Sequence, residues 1–220
     1  LDITEGDGAI KYDKAFYDMI RPGVESSAKA LVPALVTMLD PQTVIDVGCG
    51  EGWWAYEFAQ NQCEVLGVDN GMIPTSPLGD RFQAVDLTKP FPDLGTWDLA
   101  VSLEVAEHLP ASRAEGFIKD LCGLAPDIVF TAAIPGQGGV GHINEQPPGY
   151  WVKLFRDNGF SVSGMLRWII WDDDRIENWY RQNLLFATNR PDTYWDLFNH
   201  PSAEPIHVVH PILFDARRRH

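Results

Sequence analysis

Cysteine is scarce: the chain of 220 residues has three, Cys49, Cys63 and Cys122. An odd, sparse set without metal-ligand spacing excludes a disulfide framework and a zinc ribbon, and it fits a reducing compartment. Basic residues are also few, with 17 Lys and Arg against 31 Asp and Glu and a formal net charge of −14. Such a surface repels phosphate backbones, so no nucleic-acid partner is expected. The first basic run, Arg217-Arg218-Arg219, stands at the end of the chain and reads as a solvated tail. No apolar run approaches a membrane span, and no signal-peptide pattern opens the chain. A cytoplasmic protein without membrane contact is the expectation. Internal repeats and low-complexity segments are absent as well.

What is present is an ordinary globular composition, 45% hydrophobic and 22% charged, suited to one large α/β domain. A short helix is predicted over Lys14–Ile20 and a longer one over Val24–Leu39. In the second, Ala28, Leu31, Val32, Leu35, Val36 and Leu39 recur at spacings of three and four. The chain then alternates. Strand candidates are Thr43–Val47, Glu64–Val68, Arg81–Val85, Leu99–Leu103 and Asp127–Thr131. Helix candidates are Trp53–Gln60, Ala111–Leu124 and Pro147–Asn158, the last with Gly159 suited to its C-terminal cap. Phe160–Trp168 and Leu184–Thr188 read as two final strands paired as an antiparallel edge. Strands alternating with helices imply a mainly parallel sheet covered on both faces. The domain is expected over residues 1–190 with a helical N-terminal extension. Residues 191–220, rich in aromatics, Pro and His, are expected to pack on or near it or to form a lid.

The most informative segment is Val44-Ile45-Asp46-Val47-Gly48-Cys49-Gly50-Glu51-Gly52. A buried strand runs into alternating glycines, and a helix follows. Glycines there permit a sharp turn and let a ligand lie against the main chain. Asp69 ends the next strand, 21 residues after Gly48, an offset that suits the two hydroxyls of a ribose. The spacing is Gly-x-Gly-x-Gly rather than the Gly-x-Gly-x-x-Gly of dinucleotide folds. Asp46 would repel a pyrophosphate but favour a sulfonium and an ammonium. Local charge therefore selects S-adenosylmethionine over a nicotinamide dinucleotide.

This segment resembles the first signature of class I S-adenosylmethionine-dependent methyltransferases. Phe82-Gln83-Ala84-Val85-Asp86-Leu87 resembles their third-strand motif, and Asp98-Leu99-Ala100-Val101-Ser102-Leu103-Glu104-Val105-Ala106-Glu107-His108-Leu109 their fourth. The resemblance spans roughly residues 40–135. It implies a Rossmann-like, seven-stranded, mainly parallel sheet with helices on both faces and a reversed last strand. It also implies that Gly48 and Gly50 line the cofactor, that Asp69 holds the ribose, and that Asp86 with Leu87 meets the adenine. Leu103 and Glu104 would lie beside the methionine portion. Asp86 also reads as a solvated loop acid, and Glu104 as a structural acid paired with a neighbour.

Methyl transfer is an in-line displacement that needs the acceptor aligned and water excluded. The segment after the fifth strand, Ile134-Pro135-Gly136-Gln137-Gly138-Gly139-Val140-Gly141-His142-Ile143-Asn144-Glu145-Gln146, gathers polar side chains in a glycine-rich loop at the sheet's ligand edge. His142 suits a general base, and Glu145 and Asn144 suit orienting roles. The His-x-Asn-Glu-Gln run followed by an aromatic helix is similar to a subset of small-molecule and sugar methyltransferases. Equally, His142 reads as a residue that orders the loop, and His108 as a rival base. The pairs His142/Glu145 and His207/His210 complete no metal-ligand set, so metal-independent catalysis is expected. O-methylation of a small-molecule or glycan hydroxyl leads. N-methylation of a small amine and a non-catalytic cofactor-binding subunit are the alternatives.

Overall fold

The computed structural model describes residues 14–71, 76–205 and 207–218. Its frame is a seven-stranded sheet in the order β3-β2-β1-β4-β5-β7-β6. The strands are β1 (Thr43–Val47), β2 (Glu64–Asp69), β3 (Phe82–Ala84), β4 (Leu99–Leu103), β5 (Asp127–Thr131), β6 (Ser161–Ser163) and β7 (Leu185–Thr188). The first five pair in parallel, and β7 runs antiparallel to both β5 and β6. This is the Rossmann-like architecture with a reversed last strand.

Every residue of β4 and β5 is buried, which is why both are dominated by apolar residues, with Ser102, Asp127 and Thr131 the buried polar exceptions. One face of the sheet packs on helices α3 (Ala114–Leu124) and α4 (Pro148–Asp157), through Phe117, Leu121, Trp151 and Phe155. The other packs on α1 (Lys14–Leu39), α2 (Trp53–Gln60), α5 (Met165–Ile169) and α6 (Asn178–Asn183), through Leu31, Leu35, Phe58, Leu166 and Tyr180. Alternation along β1 sends Ile45 and Val47 to the first face and Val44 to the second. Asp46 shares the face of Val44 and meets α2.

Two sequence expectations change. The segments Lys14–Ile20 and Val24–Leu39 are one helix, with Pro22 and Pro33 inside it. Pro22 denies a hydrogen bond to the carbonyl four residues back, but Asp18 there is exposed, and Arg21 is tied to both Asp18 and Glu51. The helix therefore crosses the proline. The predicted strand over Phe160–Trp168 stops at Ser163, whose hydroxyl accepts the N–H of Met165, and α5 begins there. The two late strands do pair antiparallel, but β7 lies inside the sheet and β6 alone forms the edge.

The chain beyond β7 is fastened to the sheet through Asp127, a carboxylate 1% exposed. It accepts hydrogen bonds from Thr188 Oγ1 (2.6 Å), Arg190 Nη2 (2.6 Å) and the Tyr194 hydroxyl. Tyr194 and Phe198 then pack on Phe186 of β7. Of the basic run at the end, Arg219 and the side chains of Arg217 and Arg218 lie outside the described residues. Replacing Asp127 by Ala leaves these donors without their charged partner, and it should cost about 2–4 kcal/mol. For a chain of this size the expected fall in melting temperature is about 5–15 °C. A thermal melt within about 1 kcal/mol of wild type would show that Asp127 does not fasten the tail.

Candidate active site

The turn between β1 and α2 is fixed by the end of β2. Gly48 N and Cys49 N both donate to Val68 O, at 2.8 and 3.1 Å. Gly48, Gly50 and Gly52 have φ of 81°, 53° and 87°. A side chain at Gly48 would also stand 2.3 Å from Val105 Cγ2, so both conformation and space require glycine there. Over Gly50 lies the ring of Tyr17 from α1, 3.2 Å from where a Cβ would stand. Glu51, 4% exposed, takes two hydrogen bonds from Arg21, at 2.8 and 2.5 Å, and one from Trp53 Nε1 at 3.1 Å. The first half of α1 is thereby clamped over the glycine turn.

The acids expected here divide by environment. Asp69 Oδ2 accepts Gly50 N–H at 2.8 Å and Oδ1 accepts Asn70 N–H at 2.6 Å. Burial raises its pKa, against the pull of these two donors. Asp46 is 2% exposed and accepts the N–H of Ala55 at 3.2 Å, so it caps the first turn of α2 from the neighbouring strand. Burial lifts its pKa to about 7, with the Asp69 charge adding to the effect. Asp86 is exposed and bonds Lys89 and Thr88, which hold its pKa down at about 2. Leu87 beside it is buried.

The end of β4 carries a different group. Leu103 is buried, and Glu104 stands at φ 55°, a conformation unfavourable for a side-chain-bearing residue. It is held there by Thr131, whose backbone oxygen and hydroxyl both accept Glu104 N–H, at 3.2 and 2.9 Å. Its carboxylate accepts Gln137 Nε2 at 2.8 Å and Asn183 Nδ2 at 3.0 Å. Burial raises the pKa of Glu104. Gln137 and Asn183 were not among the expected site residues; they come from the loop after β5 and from α6, so no single motif contains the trio.

A 3-10 turn, Ala106–His108, follows. Ile143 N and Asn144 N both donate to Glu107 O at 2.9 Å, which pins the glycine-rich loop against this turn. His142 Nδ1 lies 2.9 Å from Glu145 Oε1. Glu145 also accepts Gly136 N–H and Gly138 N–H, each at 2.7 Å. Burial pushes the Glu145 pKa up, but the bonds from His142 and the two glycines outweigh it and hold it low. The His108 and His142 rings meet edge to face, with centroids 4.9 Å apart. His108 Nδ1 sits 3.2 Å from Gly141 O. Burial, then the His142 charge, lower the His108 pKa to about 4, so this imidazole is neutral at neutral pH.

The two histidines expected as rival bases are thus neighbours, and Glu145 orients one of them. Glu107, which the sequence reading passed over, joins them: Glu107, His108 and His142 bring ligand-type atoms within 4.8 Å of one another. Neither of the two expected pairs makes up this group; the fold assembles it from two segments, which spacing within either does not display. The pair His207/His210 forms no such group among the described residues. His210 is buried against Trp171 O, and His207 is exposed beside Gly149.

A family model described as a methyltransferase domain matches residues 23–129. No curated protein sequence matches the chain. Among solved structures, magnesium protoporphyrin IX methyltransferase from Synechocystis PCC 6803, with bound SAH, superposes with a TM-score of 0.59 at 23% identity. That match covers 83% of this chain and 90% of the other. The 1,6-didemethyltoxoflavin-N1-methyltransferase of Burkholderia thailandensis gives 0.57 at 16% identity, covering 80% and 81%. DesVI of Streptomyces venezuelae gives 0.57 at 13%, covering 81% and 98%. Residues 23–129 thus match a methyltransferase domain, and the strand order gives the chain the fold of these S-adenosylmethionine-dependent methyltransferases.

Glu145 is the hub of the loop, so its loss should be visible in the backbone. Glu145→Ala removes the acceptor of two amides, and exchange at Gly136 N–H and Gly138 N–H should accelerate by about 10- to 100-fold. Because the folded pKa of Glu145 is depressed, its contribution is present above the ordinary carboxylate range and fades as pH falls through the folded value. Unchanged exchange at both glycines would show that the loop is held by its docking on Glu107 O alone.

Proposed function

We propose that this methyltransferase binds S-adenosylmethionine along the β1–α2 turn and methylates a hydroxyl of a small molecule or glycan. The observation that carries the acceptor assignment is the His142–Glu145 bond at 2.9 Å with His108 beside it. It is an oriented imidazole cluster on the segment whose Val105 packs against Gly48. The binding residues fit the cofactor. Gly48 and Gly50 leave bare main chain at the turn. Each Asp69 oxygen accepts one backbone N–H and keeps lone-pair capacity for a ribose hydroxyl. Asp86 and Leu87 stand at the end of β3, where an adenine edge would lie, and Leu103 and Glu104 at the end of β4 border the methionine portion.

When bound, the cofactor supplies a methyl group on a cationic sulfonium with its leaving group built in. The protein's work is then to align the acceptor, exclude water and take up the hydroxyl proton. Burial raises the pKa of Asp46, Asp69 and Glu104, and a positive sulfonium beside them would favour their ionised forms. Glu145 holds His142 Nδ1, which leaves Nε2 as the atom directed to the chemistry. An amine acceptor needs no such base, so the oriented imidazole favours oxygen.

Two measurements test this reading. Asp69→Ala should weaken S-adenosylmethionine binding by about 10- to 100-fold through the lost charge-assisted bonds. Calorimetry showing wild-type affinity would remove Asp69 from the site. His142→Ala should lower kcat for an identified hydroxyl acceptor by about 10²- to 10⁴-fold with cofactor affinity kept. A variant whose loss appears only in KM or thermal stability assigns His142 to loop order, and the same signature in His108→Ala instead moves the role to His108.

A further inference from the structure

We infer that Glu107, His108 and His142 form a binding site for one divalent transition-metal cation. Their ligand-type atoms lie within 4.8 Å of one another. Three ligands each about 2.0–2.2 Å from a common tetrahedral ion stand about 3.3–3.6 Å apart, so rotation of the side chains must draw the farther atoms in by up to about 1.5 Å to close the set.

A second observation points to a ligand independently. The Glu107 side chain is fully buried, at 0% exposure. Its Oε1 accepts Ala133 N–H at 3.2 Å, while Oε2 has no hydrogen-bond partner among the described residues. A buried carboxylate oxygen left this way is costly unless a cation or donor meets it. Burial, and then the Glu104 carboxyl close beside it, raise the Glu107 pKa, so a cation bound here takes the place of a proton. No Lys or Arg makes an ion pair with either acid among the described residues.

The surroundings of the histidines match what a metal asks of them. His142 Nδ1 is held by Glu145 Oε1 at 2.9 Å, and His108 Nδ1 by Gly141 O at 3.2 Å. Such outer contacts fix the tautomer and direct Nε2 toward a ligand position. Glycine at 139 is what lets the His142 ring lie where it does: a Cβ there would stand 2.3 Å from Nε2. Two imidazoles and one carboxylate suit manganese, iron, cobalt or zinc better than magnesium or calcium, which prefer oxygen sets. A His142 Nε2 lone pair given to the ion cannot also take the acceptor's proton, so ion binding and the base role proposed above are alternatives for that atom, and ion binding does not rest on that role.

The test uses the full chain stripped with a chelator and dialysed. It is titrated with manganese chloride and zinc chloride, followed by calorimetry, thermal melting and, for manganese, the electron paramagnetic resonance signal of the bound ion. Expected are one ion per chain, a melting temperature raised by the ion, and affinity at least tenfold lower in Glu107→Gln and in His142→Gln. Glu107→Gln keeps the buried shape, and His142→Gln changes a residue on the rim, so misfolding of one leaves the other decisive. No saturable binding up to millimolar ion, or affinity unchanged in both variants, overturns the site. Methyl transfer is assayed separately: failure to methylate any hydroxyl while ion binding persists counts against the acceptor reading and leaves the site standing.

Discussion

Everything at the ligand edge depends on how closely the ends of β1, β2 and β4 converge. Val68 O at the end of β2 takes two amides of the turn after β1, and Val105, just beyond β4, lies against the bare Cα of Gly48. One methyl group at residue 48 would force those strand ends apart. The same closeness lets Asp69 reach Gly50 N at 2.8 Å, so the turn and the acid at the end of β2 are one hydrogen-bonded unit. Parallel strands bring their carboxyl ends to one edge, and here packing makes that edge rigid. The loops that hang from it, 104–108 and 134–146, inherit fixed starting points.

Burial of negative charge is the second constraint, and the chain solves it differently at each acid. Asp46 is met by an amide in the first turn of α2, Glu51 by a two-pronged Arg21, and Asp127 by Thr188, Arg190 and Tyr194. Each solution also joins two elements: β1 to α2, α1 to the glycine turn, and the tail to β5. Glu107 breaks the pattern. It is as buried as any of them, yet its Oε2 has no hydrogen-bond partner among the described residues, and its near neighbour is a second acid, Glu104.

Much of the fold was legible because its signals are local. Glycines alternate directly after a β-branched run, and Asp69 stands at a fixed offset, so the turn and its acid are readable without knowing what packs on them. β4 and β5 are mostly apolar because both faces are covered, and that too is visible in a window of five residues. The errors have local signals outweighed by tertiary ones. Pro22 reads as a helix end, but Arg21 anchors the turn around it to Glu51. Phe160–Trp168 reads as one strand, but the Ser163 hydroxyl and the Gly164 bond to Ala203 O turn the chain after its fourth residue.

The acceptor region is harder to read for a physical reason. Glu104 is held by Thr131 from β5, Gln137 from a loop and Asn183 from α6, and Glu107 meets His142 only because the loop after β5 docks on its carbonyl. None of these contacts has a characteristic spacing in sequence, and the matched family model ends at residue 129, before the loop begins. The cofactor half of such a site answers to one unvarying ligand and can be written in a short motif. The acceptor half is built from side chains on separate segments, each displaced easily by changes in its own loop. Its chemistry must therefore be read from which groups the fold brings together, and here those are two oriented imidazoles and the buried Glu107 carboxyl, within 4.8 Å of one another.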